Sequence, residues 1–230
     1  MEESNVEFTF FECTRPECRF RFPFTINKEG NPLSMGTIDN CPKCGAIIDL
    51  AAHSSPHTAD KIRHSPKHSQ HRISVLVDNI RSTYNVGSIF RSADGCQFDH
   101  IHLCGISPTP ENHRVGKTAL GAENTIQWTS HNNSIDTALN LHQEGWLLWG
   151  LENTPNADSI YSIKYDNNYA PIALIIGNEI AGIDPGLLAI CDRIITIPML
   201  GYKRSLNVAS AFGIAAYHLR FGLSDNNLVG

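Results

Sequence analysis

From Ile73 onward, short apolar runs alternate with stretches in which apolar residues recur every third or fourth position. The short runs fit buried strands, and the wider spacing fits helices with one buried face. On this basis the chain predicts strands at Ile73–Val77, His100–Ile106, Gly145–Leu151, Pro171–Ile176 and Arg193–Pro198. It predicts helices at Val86–Ala93, Ile135–His142, Pro185–Ile190 and Leu206–Phe221. Proline suits the start of the third, and the last is apolar on most sides. Strands alternating with helices at this pitch imply an α/β fold, a parallel sheet covered on both faces. The chain contains no convincing internal repeat.

The pattern before residue 73 is different. Glu7-Phe8-Thr9-Phe10 and Arg19-Phe20-Arg21-Phe22 alternate polar and apolar, as half-buried strands do, and Gly45–Leu50 reads as a third short strand. Two cysteine pairs, Cys13 with Cys18 and Cys41 with Cys44, lie among them. Four thiolates on two short knuckles suit a tetrahedral structural zinc ion. Gly45 lets the second knuckle turn tightly, so that backbone N–H groups can face the sulfurs. So small a unit, with few large aliphatic residues, buries little core, and a metal supplies the missing stability. Residues 1–50 therefore read as a small zinc-ribbon-like β unit. A closed four-thiolate site leaves no position for substrate, so its role is structural or to present a surface to a partner. Residues 51–72 carry His53, His57, His64, His68 and His71 among serine, proline and lysine, without apolar periodicity. They read as a basic, histidine-rich linker, with metal binding as the alternative. Residues 73–230 form the third region. Cys96, Cys104 and Cys191 stand in apolar or strand contexts and read as small core residues.

Composition modifies this picture in two respects. Hydrophobic residues make up 41% and charged residues 18% of the chain, an ordinary globular balance. The formal net charge of -5 argues against a surface that binds nucleic acid everywhere. The acidity belongs to residues 73–230, with 14 acidic and 9 basic side chains, whereas residues 1–72 carry 9 of each. No apolar stretch approaches the ~18–20 residues that span a bilayer, and the N-terminus lacks a basic start followed by an apolar run. The expectation is a cytoplasmic protein without membrane contact. In a reducing compartment spaced cysteine pairs point to metal before disulfides.

Candidate chemistry gathers at strand ends, where ligands bind in α/β sheets. The strand ending at Ile176 runs into Gly177-Asn178-Glu179-Ile180-Ala181-Gly182. Gly177 would let a ligand approach the backbone, and Glu179 supplies a charge. The strand ending near Ile197 runs into Pro198-Met199-Leu200-Gly201 and then Ser205-Leu206-Asn207, with Ser205 where a helix would be capped. After the first strand comes Asn85-Val86-Gly87-Ser88-Ile89-Phe90-Arg91, where Asn85 could cap the helix. Apolar neighbours around Arg91 imply a partner for its charge, a phosphate or a carboxylate. No GxGxxG follows a strand, so a Rossmann-type turn is not supported. These residues alone indicate a small-ligand site at the top of a parallel sheet.

Together, however, the segments Asn85–Arg91, Ile175–Gly182 and Ile197–Met199 with Ser205–Ala211 resemble, in order and separation, the SpoU/TrmH family of RNA 2'-O-ribose methyltransferases, within the SPOUT superfamily. The resemblance covers about Ile73 to Phe221 and nothing in residues 1–72. It implies a parallel α/β sheet whose C-terminal segment is threaded into a trefoil knot, and a homodimer packed through that knot. It implies that S-adenosylmethionine lies against Leu151, Gly177, Ile197, Met199, Ser205 and Leu206, largely through backbone groups. It matches Asn85, Arg91, Glu179, Ser205 and Asn207 to the family's functional positions, with Arg91 reaching the substrate of the partner subunit.

The implied reaction is 2'-O-methylation of a ribose in transfer or ribosomal RNA. Arginine is a poor base, its pKa exceeding ~12. Arg91 is therefore expected to bind the adjacent phosphate, so that phosphate or water shares the hydroxyl proton. Arg114, Lys117, Lys203 and Arg204 are expected in loops beside the site as a local phosphate track. Arg19, Arg21 and Lys43 of the ribbon could grip RNA elsewhere, with its aromatic residues either stacking bases or forming its core. The competing functions are a noncatalytic RNA- or protein-binding module on the same fold, and methylation of a base or another substrate.

Overall fold

The computed structural model describes residues 7–26, 40–47, 54–57, 71–163 and 170–222, with the backbone alone at 7–11, 23–26 and 54–57. The chain divides into two compact units, Met1–Ser65 and Pro66–Gly230.

In the first unit β1 (Glu7–Glu12) pairs antiparallel with β2 (Arg21–Ile26) and with β3 (Ser54–His57), giving the order β2-β1-β3. β2 and β3 are edges, which is where Pro23 and Pro56 are tolerated, since neither can donate to a ladder. Three expectations change here. β2 starts at Arg21 rather than Arg19, because Arg19 takes φ 42° and closes the first knuckle, its N–H donating to the Arg15 carbonyl at 3.1 Å. Gly45–Leu50 is not a strand over its described part: Ile47 makes only an isolated bridge with Asn40, and residues 48–50 lie outside the described residues. The third strand is Ser54–His57, inside the segment read as linker. His53, His64 and His68, with residues 58–70 generally, lie outside the described residues.

The second unit contains β4 (Ile73–Asp78), α1 (Thr83–Gly95), β5 (His100–Cys104), α2 (His113–Ala119), β6 (Gln127–His131), α3 (Ser134–Gln143), β7 (Leu147–Leu151) and β8 (Asp158–Ser159). β9 (Ile172–Ile176), α4 (Pro185–Leu188), β10 (Arg193–Thr196) and α5 (Val208–Tyr217) follow, and α5 ends in a π turn, His218–Gly222. The strands pair in parallel in the order β6-β5-β4-β9-β7-β10-β8. Alternate residues of the central strands enter different cores. Val75, Val77, Leu174 and Ile176 pack with Ile89, Phe90 and Phe212 of α1 and α5, whereas Leu76, Ala173 and Ile175 pack with Ala138, Leu141 and Leu187 of α3 and α4. Both faces are therefore covered, and β4 and β9 read as unbroken apolar runs for that reason.

α5 begins at Val208 because Asn207, not Ser205, caps it: the Asn207 side chain accepts from the N–H groups of Ala209 (2.9 Å) and Ser210 (3.3 Å). Beyond α5 the buried Arg220 donates to the carbonyls of Cys96 (2.6 Å), Gln97 (2.6 Å) and His71 (2.7 Å). A cation at the C-terminal end of α1 satisfies carbonyls that the helix leaves unpaired.

Candidate active site

The carboxyl ends of β7, β9 and β10 surround a cavity of about 380 Å³. Its lining includes Leu151 and Glu152 after β7, Gly177–Glu179 after β9, Thr196, Ile197 and Met199 after β10, and Ser205–Asn207 before α5. All six residues expected to hold the cofactor therefore line a single cavity, together with Glu179 and Asn207. Bringing all six to one place requires the β9 and β10 ends to adjoin β7, as the strand order provides.

Gly177 is required by the chain itself. A Cβ there would stand 2.2 Å from the Gly182 carbonyl carbon and the Ile183 nitrogen, so the expected close approach is by the protein's own backbone. Asn178 and Gly182 exchange backbone hydrogen bonds at 2.9 Å each way, closing the turn. The Asn178 side chain accepts from Ile180 and Ala181 N–H and donates to the Asn79 carbonyl at 2.7 Å.

Glu179 reaches back to the start of α1. Its carboxylate accepts from the N–H groups of Arg81 and Ser82, each at 3.0 Å, and from the Asn85 amide at 2.9 Å. Burial pushes its pKa up, but these donors outweigh it and hold the carboxyl below its usual value. Asn85 does not cap α1. Ser82 does, its hydroxyl accepting from Asn85 N–H at 3.3 Å. This frees the Asn85 side chain to face outward, where its oxygen accepts from the Asn207 amide at 3.0 Å. The orientation of each group follows from the next. Asn207 spends its oxygen on α5, so it offers nitrogen to Asn85, and Asn85 then offers nitrogen to Glu179. The relay ties the β9 turn, α1 and α5 together.

Arg91 is elsewhere. It is exposed on α1, does not line the cavity, and makes no hydrogen bond or ion pair among the described residues. The partner expected for its charge is not a carboxylate of this chain within those residues. Arg204 lines the cavity, but Arg114 and Lys117 lie on α2 rather than in a loop, and neither lines it.

Sequence reasoning missed two residues. Glu152 accepts from the N–H groups of Ile183 (2.9 Å) and Asn153 (3.0 Å), and the Asn153 amide donates to the Arg204 carbonyl at 2.7 Å. Their signal was position alone: they directly follow a strand on the side where ligands bind.

In the first unit the Sγ atoms of Cys13, Cys18, Cys41 and Cys44 all lie within 4.8 Å of one another. Cys13–Cys44 and Cys18–Cys41 are separated by 3.6 and 3.8 Å. Four Zn–S bonds of ~2.3 Å in a tetrahedron set sulfurs about 3.8 Å apart, so the cluster fits a zinc ion. Burial pushes the Cys41 thiol up, but the N–H groups of Cys44 and Lys43 outweigh it and leave it at about 7. Gly45 takes φ 70°, as the turn demands. Burial instead drives Cys96 and Cys104 to about 12 and Cys191 to about 11, as for core thiols.

Comparison with known proteins adds to this geometry. The SpoU rRNA methylase family matches residues 72–217. The chain is 27% identical over 145 residues to the tRNA (guanosine(18)-2'-O)-methyltransferase of Escherichia coli K12, covering 63% of this chain and 61% of that protein. It is 31% identical over 148 residues to the 23S rRNA (guanosine(2553)-2'-O)-methyltransferase of Bacillus subtilis, covering 64% and 57%. The chain thus spans less than two thirds of either relative. The crystal structure of an AdoMet-bound rRNA methyltransferase from Sinorhizobium meliloti superposes with a TM-score of 0.62 at 27% identity, covering 71% of this chain and 62% of that one.

Proposed function

The chain belongs to the SpoU rRNA methylase family, and from the chemistry of its site we propose that it transfers a methyl group from S-adenosylmethionine to a ribose 2'-hydroxyl of transfer or ribosomal RNA. The observation that carries this reading is the Glu179–Asn85–Asn207 relay, which gathers three separate motif segments around one strand-end cavity. The cavity's size lies within the ~300–1,000 Å³ of small-molecule sites. Leu151, Ile197, Met199 and Leu206 offer apolar walls, and the turns at Gly177 and Ser205 offer backbone groups. When bound, S-adenosylmethionine would supply the methyl group for in-line displacement from its sulfonium by the ribose hydroxyl, the sulfur leaving as a neutral thioether and the hydroxyl proton passing to phosphate or water.

Within this reading Glu179, Asn85 and Asn207 hold the cavity's shape, and Ser205 contacts the bound donor. Arg91 serves the site of a second copy, where its planar fork binds the phosphate beside the target hydroxyl. Its position supports this. Six residues of helix place it about 120° around α1 from Asn85, exposed and away from its own cavity. A homodimer follows, and the exposed Ile214, Tyr217 and Phe221 along α5 and its π turn give it an apolar contact. The trefoil-knotted path belongs to the same reading. Zinc in the cysteine cluster knits the N-terminal unit as a ribbon. Its exposed Phe20, stacked 6.0 Å from Phe22 with the Lys43 ammonium 5.7 Å from the ring, suits contact with RNA bases. Among the described residues no helix is long and apolar enough to cross a membrane, and RNA modification assigns the protein to the cytoplasm.

The test is mass spectrometry of RNA nucleosides from a strain lacking the gene, followed by methylation of that RNA in vitro by the full chain. A 2'-O-methyl mark lost in the strain should return with wild-type protein and not with Arg91→Ala. No lost mark and no activity on any RNA would overturn the proposal in favour of a noncatalytic binding module. An Arg91→Lys variant at near-wild-type rate would remove the need for the planar fork.

A further inference from the structure

The geometry points to a second metal site, on the β5–β6 edge of the sheet, that takes a divalent transition-metal ion such as zinc through His100, His102 and His131. His100 and His102 are two apart on β5, so they share a face, as do Thr129 and His131 on β6. The parallel register sets His102 opposite Thr129 and Cys104 opposite His131. The three imidazoles are brought together by that pairing, although the sequence separates His131 from the others by 29 residues or more.

Two of the three ligand atoms are nearly in position. Two Zn–N bonds of ~2.0–2.1 Å in a tetrahedron set their nitrogens about 3.3 Å apart, and His102 Nδ1 stands 3.5 Å from His131 Nε2. Thr129 Oγ1 occupies the middle, 2.7 Å from His131 Nε2, 2.9 Å from His100 Nε2 and 3.5 Å from His102 Nδ1. Thr129 is exposed on the edge strand, so a change of its rotamer carries the hydroxyl into solvent. The ion takes its place, and His100 closes onto it by turning its ring. Imidazole suits zinc, copper and nickel, and three nitrogens leave a fourth position for water.

The environment of His100 and His102 favours the neutral ring that a metal needs. Burial, then the neighbouring His100 and His131, hold His102 down at about 3, and burial likewise lowers His100. Hydrogen bonding to one hydroxyl does not use the group fully, since a hydroxyl donates only once.

The experiment measures zinc bound per chain by the full-length protein after equilibration with buffered low-micromolar zinc. The double variant His102→Gln/His131→Gln should bind one zinc fewer than wild type. The linker variant His64→Gln/His68→Gln should match wild type, which separates this site from the histidine tract. Thermal unfolding confirms that each variant is folded. Anomalous diffraction at the zinc edge provides a second measurement, expecting a peak between His102 and His131. Equal stoichiometry in the double variant and wild type, or no peak there, would overturn the site.

Discussion

Replacing Glu179 with glutamine tests the hinge of the relay. Glutamine keeps the shape of the side chain but has one acceptor oxygen and an NH₂ group. Oriented to accept from Ser82 and Asn85, it would turn that NH₂ toward the Arg81 N–H, so one of the three bonds becomes a clash of donors. Hydrogen bonds to a charged group contribute ~1.5–3 kcal/mol, but Glu179 is exposed and solvent screens much of this. The expected loss is about 1 kcal/mol, which lowers the Tm of a unit of this size by ~2–4 °C. The pH dependence has a definite sign. The folded pKa is depressed, so the carboxylate's contribution is fully present above the unfolded value of ~4.3 and is lost as pH falls through the folded value. Thermal unfolding of both proteins from pH 7 downward should show the difference at neutral pH and its closure in acid, below about pH 4. Equal Tm at pH 7, or a gap that persists undiminished in acid, would refute the argument that the charged carboxylate holds the start of α1.

Gly177→Ala should abolish the site, because its methyl group meets backbone at 2.2 Å that cannot yield. We expect a loss above ~3 kcal/mol, and a wild-type denaturation midpoint would exclude it. Removing zinc with a chelator should erase the ordered structure of the N-terminal unit, read by amide exchange, while the amides of the central strands β4 and β9 of the larger unit stay protected. Protection of β1 and β2 amides that survives chelation would show that the fold does not need the ion. Arg91→Ala and Asn207→Ala proteins should each be inactive alone, yet regain part of the activity when co-expressed. The mixed dimer then has one site with both residues intact, and methyl transfer that is not restored would place Arg91 in its own chain's site.

Much of the larger unit was legible in the sequence because its strands are buried on both faces. β4 and β9 read as apolar runs, and α1 and α3 keep one buried stripe. What was missed lacked that contrast. β6 is an edge strand with only Trp128 apolar, and α2 buries only Val115 and Ala119 around Gly116. β3 carries no apolar side chain beyond a proline and exists by pairing with β1. The site was legible as three motifs and illegible as a mechanism of assembly. Capping was assigned to Asn85 and Ser205 by residue type, but the neighbours Ser82 and Asn207 do that work, and local sequence cannot decide between adjacent candidates. The consequence is functional: Asn85 is released from the helix end and becomes the middle of the relay.

The excess of acidic residues in the larger unit also changes meaning once their partners are known. Glu152, Glu179, Asp99, Asp184 and Asp192 each accept from backbone N–H groups. Their charge is tied to positive ends of peptide dipoles, which mutes its repulsion of a polyanion. The cavity itself is walled largely by apolar and backbone groups, and its carboxylates and amides are committed to one another or to backbone groups. Such a site can hold a donor but has little left to grip a phosphate. Of Arg91, Arg114, Lys117, Lys203 and Arg204, only Arg204 lines it, while Arg91 stands exposed on α1 without a hydrogen-bond or ion-pair partner among the described residues. A reaction on RNA therefore needs a cation brought to the cavity mouth. Two copies of the chain, each holding the donor in its own cavity and lending Arg91 to the other, would supply it.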